Sequence, residues 1–178
     1  AFIKSIRGSD VNAAIYWLAR MVEGGEDPKF IARRLLISAS EDIGLANPNA
    51  MLMANNTFQA VERVGWPESR IILAQCTVYM ANSPKGNSAY KAINQAQDLV
   101  RKTGNLNVPL GLRNASSSLM KELGYGENYK YSHDFLDNFA DQEFLPEEIS
   151  GVSFFEAGSN VKEKEIEEKQ NELWKNKY

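Results

Sequence analysis

Cysteine occurs once in the 178 residues, at Cys76, and histidine once, at His133. A single thiol excludes an internal disulfide framework and a thiolate zinc site, and the setting ILAQCTVYM reads as the buried face of a helix with Cys76 as a small hydrophobe. His133 stands beside Asp134, downstream of Ser116, Ser117 and Ser118. No nucleophile elbow or oxyanion hole accompanies them, so a structural histidine is expected, and one histidine beside one carboxylate is too little for a metal.

No run of about 18 apolar residues is present to span a bilayer, and no charged-then-apolar leader opens the chain. The expected setting is cytoplasmic, next to the nucleoid, with no membrane partner. An excess of either charge is also missing: 20 Lys and Arg stand against 23 Asp and Glu, a formal net charge of -3. That balance argues against a uniformly basic duplex binder and leaves room for a local basic stripe. A glycine-rich phosphate loop is missing too. SPKGNS at Ser83 to Ser88 places lysine before glycine without the spacing that wraps amides around phosphates. No catalytic residue, cofactor site or metal site is assigned, and the chain by itself is not expected to be an enzyme.

What is present is helix punctuation, repeated. With 43% hydrophobic and 24% charged residues the chain can fill one ordinary core. Ser9 or Asp10 caps a helix carrying Ile15, Leu18, Ala19 and Val22 and stopped by Gly24 and Gly25. Asp27 and Pro28 open a second, with Ile31, Leu35 and Ala39 on one face and a stop at Gly44. Asn47 and Pro48 open a third, bearing Met51, Leu52, Phe58 and Val61 before Gly65. Pro67 opens a fourth with Ile71, Ala74, Gln75 and Val78, and a fifth from about Asn87 to Thr103 repeats Ala89, Ile93, Ala96 and Val100. Short connections predict antiparallel neighbours, and the fold class is all-α, a helical bundle.

Beyond Gly104 one short helix is expected around Ser116 to Leu123. A tyrosine-rich stretch follows in which Tyr125, Tyr129, Tyr131 and Phe135 either drape over the bundle or form a stacking surface for bases. SGVSFFEAG suggests a brief strand or an irregular arm near the C-terminus. Residues 159–178 then form a charged helix, opened by the capping-box pair Asn160 and Glu163, with a thin apolar stripe of Ile166, Leu173 and Trp174. The expected division is a helical domain over 1–158 and this terminal helix over 159–178.

One local conflict stands out. Glu41 and Asp42 lie near a helix C-terminus, where carboxylates oppose the macrodipole at about 0.3 to 1 kcal/mol each if exposed. A tertiary or intermolecular partner is therefore expected, with Arg20, Arg33, Arg34 and Arg113 as candidates.

Seven segments taken together, FIKSIRGSD, YWLARMVEGGEDPKFIARRL, ASEDIGLANP, SPKGNSAY, VPLGLRNA, LGYGENYKYSHDF and FLPEEISG, resemble the C-terminal region of the RarA/MgsA family of replication-associated recombination AAA+ ATPases. The resemblance covers nearly the whole chain up to about Asn160. It implies a domain related to the clamp-loader collar that associates into a homotetramer, acts at stalled forks in DNA replication, recombination and repair, and is linked to single-strand-binding protein. ATP and magnesium belong, on this resemblance, to an upstream domain, which the start at Ala1 without methionine also suggests. Val11, Gly111 and Ser132 stand where the family commonly has proline, histidine and proline, which bears only on loop geometry.

Two sets of surface residues follow. Side chains surplus to the core stripes, Tyr16, Trp17, Phe30, Leu36, Trp66, Tyr79 and Tyr90, with Glu41 and Asp42, are candidates for contact between copies. Lys4, Arg7, Arg33, Arg34, Lys85, Lys91, Arg101, Lys102 and Arg113 are the candidates for phosphates in the alternative function, an autonomous DNA-binding module.

Overall fold

Capping side chains set where the second and third helices start. In the computed structural model, which describes residues 1–175 and 177–178, the Asp10 carboxylate accepts from the Ala13 N–H at 2.8 Å and opens the helix Val11–Glu23. Asp27 accepts from the Lys29 N–H at 2.9 Å and opens Pro28–Ser38. Both caps satisfy amides that the first helical turn leaves without partners.

Eight α-helices appear among the described residues: α1 Phe2–Arg7, α2 Val11–Glu23, α3 Pro28–Ser38, α4 Asn49–Val64, α5 Ser69–Asn82, α6 Ser88–Thr103, α7 Ser118–Glu122 and α8 Val161–Trp174. No strand is found among them, so SGVSFFEAG is an irregular arm. The chain divides into two compact units, one of Ala1–Ile93 with Phe155–Glu167 and one of Asn94–Phe154 with Glu168–Tyr178.

In the first unit α5 is the central helix, touching α1, α2, α3 and α4. Its buried positions are Ser69, Leu73, Cys76, Thr77, Met80 and Ala81, and α4 faces inward with Ala50, Ala54, Thr57 and Val61. Small side chains on both helices bring their backbones close. The buried Thr77 hydroxyl is satisfied within its own helix by the 2.7 Å bond from Oγ1 to the Leu73 carbonyl.

Four of the expected inner faces are corrected here. Met51 and Leu52 are 53% and 64% exposed, Ile71 and Val78 are 58% and 42% exposed, and Ile93 and Val100 on α6 are 55% and 61% exposed. Ala19 on α2 is exposed as well. On α4 the buried face is the one carrying the small residues Ala50, Ala54 and Thr57, whereas α6 buries only Ser88. Asn47 is likewise not a side-chain cap of α4: its amide donates to Tyr79 Oη at 3.0 Å and Ser83 Oγ at 3.1 Å.

The second unit is largely irregular, with 3-10 turns and the short α7, and Ala140 is its buried hydrophobic residue. Polar and aromatic contacts hold it. Trp174 meets Phe139 edge-on at 4.9 Å, Lys177 Nζ lies 4.2 Å from the Trp174 ring centre, and Lys177 pairs with Glu143 at 3.2 Å. Glu143 also accepts from Ser150 Oγ and from the Leu145 and Phe144 amides. Those bonds, Ser150 foremost, hold its carboxyl down to a pKa of about 2.

Candidate functional site

Three of the distinctive segments, KSIRGSD, ASEDIG and SPKGNS, meet in the first unit. α3 ends in a π-helical turn, Ala39–Ile43, an irregularity often found where a helix serves a function. Asp42 in that turn is only 7% exposed. One of its oxygens accepts from Arg7 Nε at 2.5 Å and the other from Ser38 Oγ at 2.7 Å, while its backbone carbonyl accepts from the Gly86 N–H at 3.0 Å. Glu41 reaches the same guanidinium at 3.9 Å.

The partner of the acidic helix end is therefore Arg7 of α1, a correction to the expected Arg20, Arg33, Arg34 or Arg113. Hydrogen bonding to Asp42 raises the Arg7 pKa above its ordinary value. Sequence offered no cue, because Arg7 is far away in the chain and Asp42 is aimed by a π-turn no periodicity announces.

Lys85 has a different task from the phosphate contact considered for it. Its ammonium donates to the carbonyls of Ser83, Ala81 and Met80 at 2.6, 3.0 and 3.2 Å and to Ser9 Oγ at 3.0 Å, closing the C-terminus of α5. Burial lowers its pKa, opposed by the charge of Asp42. The lysine and the Gly86 amide of the SPKGNS loop are thus both engaged within the fold. Among the described residues no group of three His, Cys, Asp or Glu is arranged for a metal.

Glycine makes this joint possible at two positions. Gly44 has φ +49°, in the left-handed region, and a Cβ there would stand 3.1 Å from the Gly86 carbonyl oxygen. A Cβ on Gly86 would lie only 2.3 Å from Glu163 Oε1. Glu163 is completely buried, accepting from the Gly158 N–H at 2.6 Å while its own amide donates to Asn160 Oδ1 at 2.9 Å. The capping-box pair is thus formed, with the glutamate reaching past the cap. Its burial was missed, and the flanking Gly86 and Gly158 were the available signal.

Arg7 also borders a groove of about 640 Å³ lined by Phe2, Ile3, Lys4, Trp17, Arg20, Met21, Phe30 and Arg34. The Arg20 guanidinium lies 5.4 Å from the Trp17 ring centre.

The candidate contact residues separate by exposure. Tyr16, Phe30, Trp66 and Tyr90 are 57%, 39%, 38% and 46% exposed, whereas Trp17, Leu36 and Tyr79 are half-buried against the core. Of the candidate phosphate contacts, Arg33 pairs with Asp27 at 3.7 Å and Arg101 with Asp98 at 2.5 Å. Arg113 donates to the Val108 carbonyl at 2.7 Å and covers the Tyr125 ring. Lys4, Arg34, Lys91 and Lys102 are exposed and make no ion pair among the described residues. His133 bonds Asn138 at 3.0 Å through Nδ1, and the Ser117 side chain caps α7.

An all-helical domain knit by a buried carboxylate joint, with a cationic groove beside it, is the class these features define. The chain belongs to the family described as MgsA AAA+ ATPase C terminal, which matches residues 8–174. It is 48% identical over its whole length to an uncharacterized protein of Thermotoga maritima, of which it covers 29%. It is 47% identical to Replication-associated recombination protein A of Coxiella burnetii, covering 87% of this chain and 36% of that one. With ATPase WRNIP1 of Dictyostelium discoideum it shares 45% identity over 88% of this chain and 18% of that one. The chain thus spans roughly a third or less of these relatives.

Proposed function

We propose that this chain is the assembly domain of a AAA+ ATPase acting in DNA replication, recombination and repair at stalled forks, and that it gathers identical copies into a homotetramer as a clamp-loader collar does. Nucleotide, magnesium and ATP hydrolysis are assigned to other parts of the longer protein, and single-strand-binding protein is a further partner on this reading. One observation carries it: α5 buries Leu73, Cys76 and Met80 on one face and keeps an outward pair of large apolar side chains two turns apart, Ile71 and Val78, 58% and 42% exposed, on another. Helices that satisfy the core on one face and stay apolar on another are suited to meet copies of themselves.

Light scattering coupled to size exclusion tests this, with a mass near four times 19.9 kDa expected and 19.9 kDa at every concentration overturning it. A second reading, direct contact with DNA phosphates, is favoured by the unpaired Lys4, Arg34, Lys91 and Lys102. It expects affinity for single-stranded DNA to fall steeply with salt, and a flat salt series removes it.

A further inference from the structure

Two sets of unpaired charges in this chain complement each other, and each surrounds apolar surface. The first is the groove, where Lys4, Arg20 and Arg34 border Phe2, Met21 and Phe30. None of these three cations makes an ion pair among the described residues, although the chain as a whole is acidic. The second is the turn around Leu136 in the other unit. Leu136 is 88% exposed and Phe135 44% exposed, between Asp134 and Asp137, which also make no ion pair there.

That turn is internally hydrogen-bonded and strained. The Asn138 amide donates to the Phe135 carbonyl at 3.1 Å, the Phe139 amide to the Leu136 carbonyl at 3.2 Å, and His133 Nδ1 meets Asn138 Oδ1 at 3.0 Å. Asp137 and Asn138 have φ of 56° and 54°, two consecutive side-chain-bearing residues in the left-handed region. Strain held in place around one exposed leucine is the kind that accompanies a recognition element, and a preformed turn loses little entropy on docking.

We propose that the Asp134–Asn138 turn of one copy seats Phe135 and Leu136 in the groove of a second copy, with its two carboxylates facing Lys4, Arg20 and Arg34. The inference rests on the assembly reading and specifies its contact. The groove fits a peptide knob because the exposed Phe30 and the half-buried Ile3 and Met21 offer surface for apolar side chains, and its volume suits a short turn. Because turn and groove are different surfaces, the contact is made either twice across a two-fold axis or once, head-to-tail, closing into a ring when the rotation between copies permits.

The test compares the intact chain with a groove variant, Lys4→Glu with Arg34→Glu, and a turn variant, Phe135→Ala with Leu136→Asp, by light scattering over a dilution series. Each variant alone is expected to weaken assembly about tenfold or more, down to the 19.9 kDa species at concentrations where the intact chain associates. An equimolar mixture is expected to form pairs and stop there, since only one groove and one turn then match. Phe30→Asp, at the exposed rim, repeats the groove test, and cooperative melting confirms that each variant is folded. An intact chain that never associates defeats the assembly reading itself. Association retained in both variants defeats this contact alone, and loss of single-stranded DNA binding by the groove variant at unchanged mass gives the groove to nucleic acid instead.

Discussion

Asp42 shows how one side chain can join three segments. It is buried with both oxygens bonded, so replacing it by asparagine removes a charge-assisted bond to Arg7 and turns a donor toward Arg7 or Ser38. We expect Asp42→Asn to lower unfolding stability by about 1 to 3 kcal/mol in urea titration, with an unchanged denaturant midpoint refuting the joint. Glu143 gives a pH test in the second unit. Its folded pKa of about 2 lies below the ordinary 4.5, so its contribution is complete above 4.5 and disappears as pH falls through 2. Ser150→Ala removes the largest cause and should move the midpoint upward toward 4.5, followed by NMR titration of the Glu143 carboxyl. A midpoint that stays put would contradict the assignment.

Among elements, the loop between α5 and α6 has little room for added atoms at Gly86. Gly86→Ala places a methyl against the buried Glu163 carboxylate, whose other oxygen is held by Gly158, and close to the Ala46 and Asn160 side chains. A loss of about 1 to 3 kcal/mol in thermal or chemical unfolding is expected, and a neutral substitution would mean that this carboxylate moves freely. The element boundaries show what local sequence conveys. Asp10, Asp27 and Asn160 announce their helices correctly because a cap acts within three residues. The π-turn at Ala39–Ile43 has no such local signature, and the partner of its Asp42, Arg7, lies 35 residues away.

For the molecule as a whole, exposed apolar helix faces and buried ones must respond differently to substitution. Leu73 is fully buried in α5, and Leu73→Ala should cost about 2 to 5 kcal/mol of folding stability. Ile71→Asp, on the outward face of the same helix, should leave monomer folding nearly unchanged while reducing the mass measured in solution. Equal loss of folding stability from both substitutions would show that the outward face is part of a core.

Hydrophobic period, caps and composition determined by themselves that this protein is all-α and where its long helices run, because those signals act between neighbours along the chain. The assignment of faces, the Arg7 partner of Asp42, the role of Lys85 in closing α5 and the burial of Glu163 were decided by tertiary structure alone. Each depends on which segments approach closely enough to exclude water. In this protein that distance is set by small residues, Ala50, Ala54, Gly44 and Gly86, whose importance lies in the neighbours they admit.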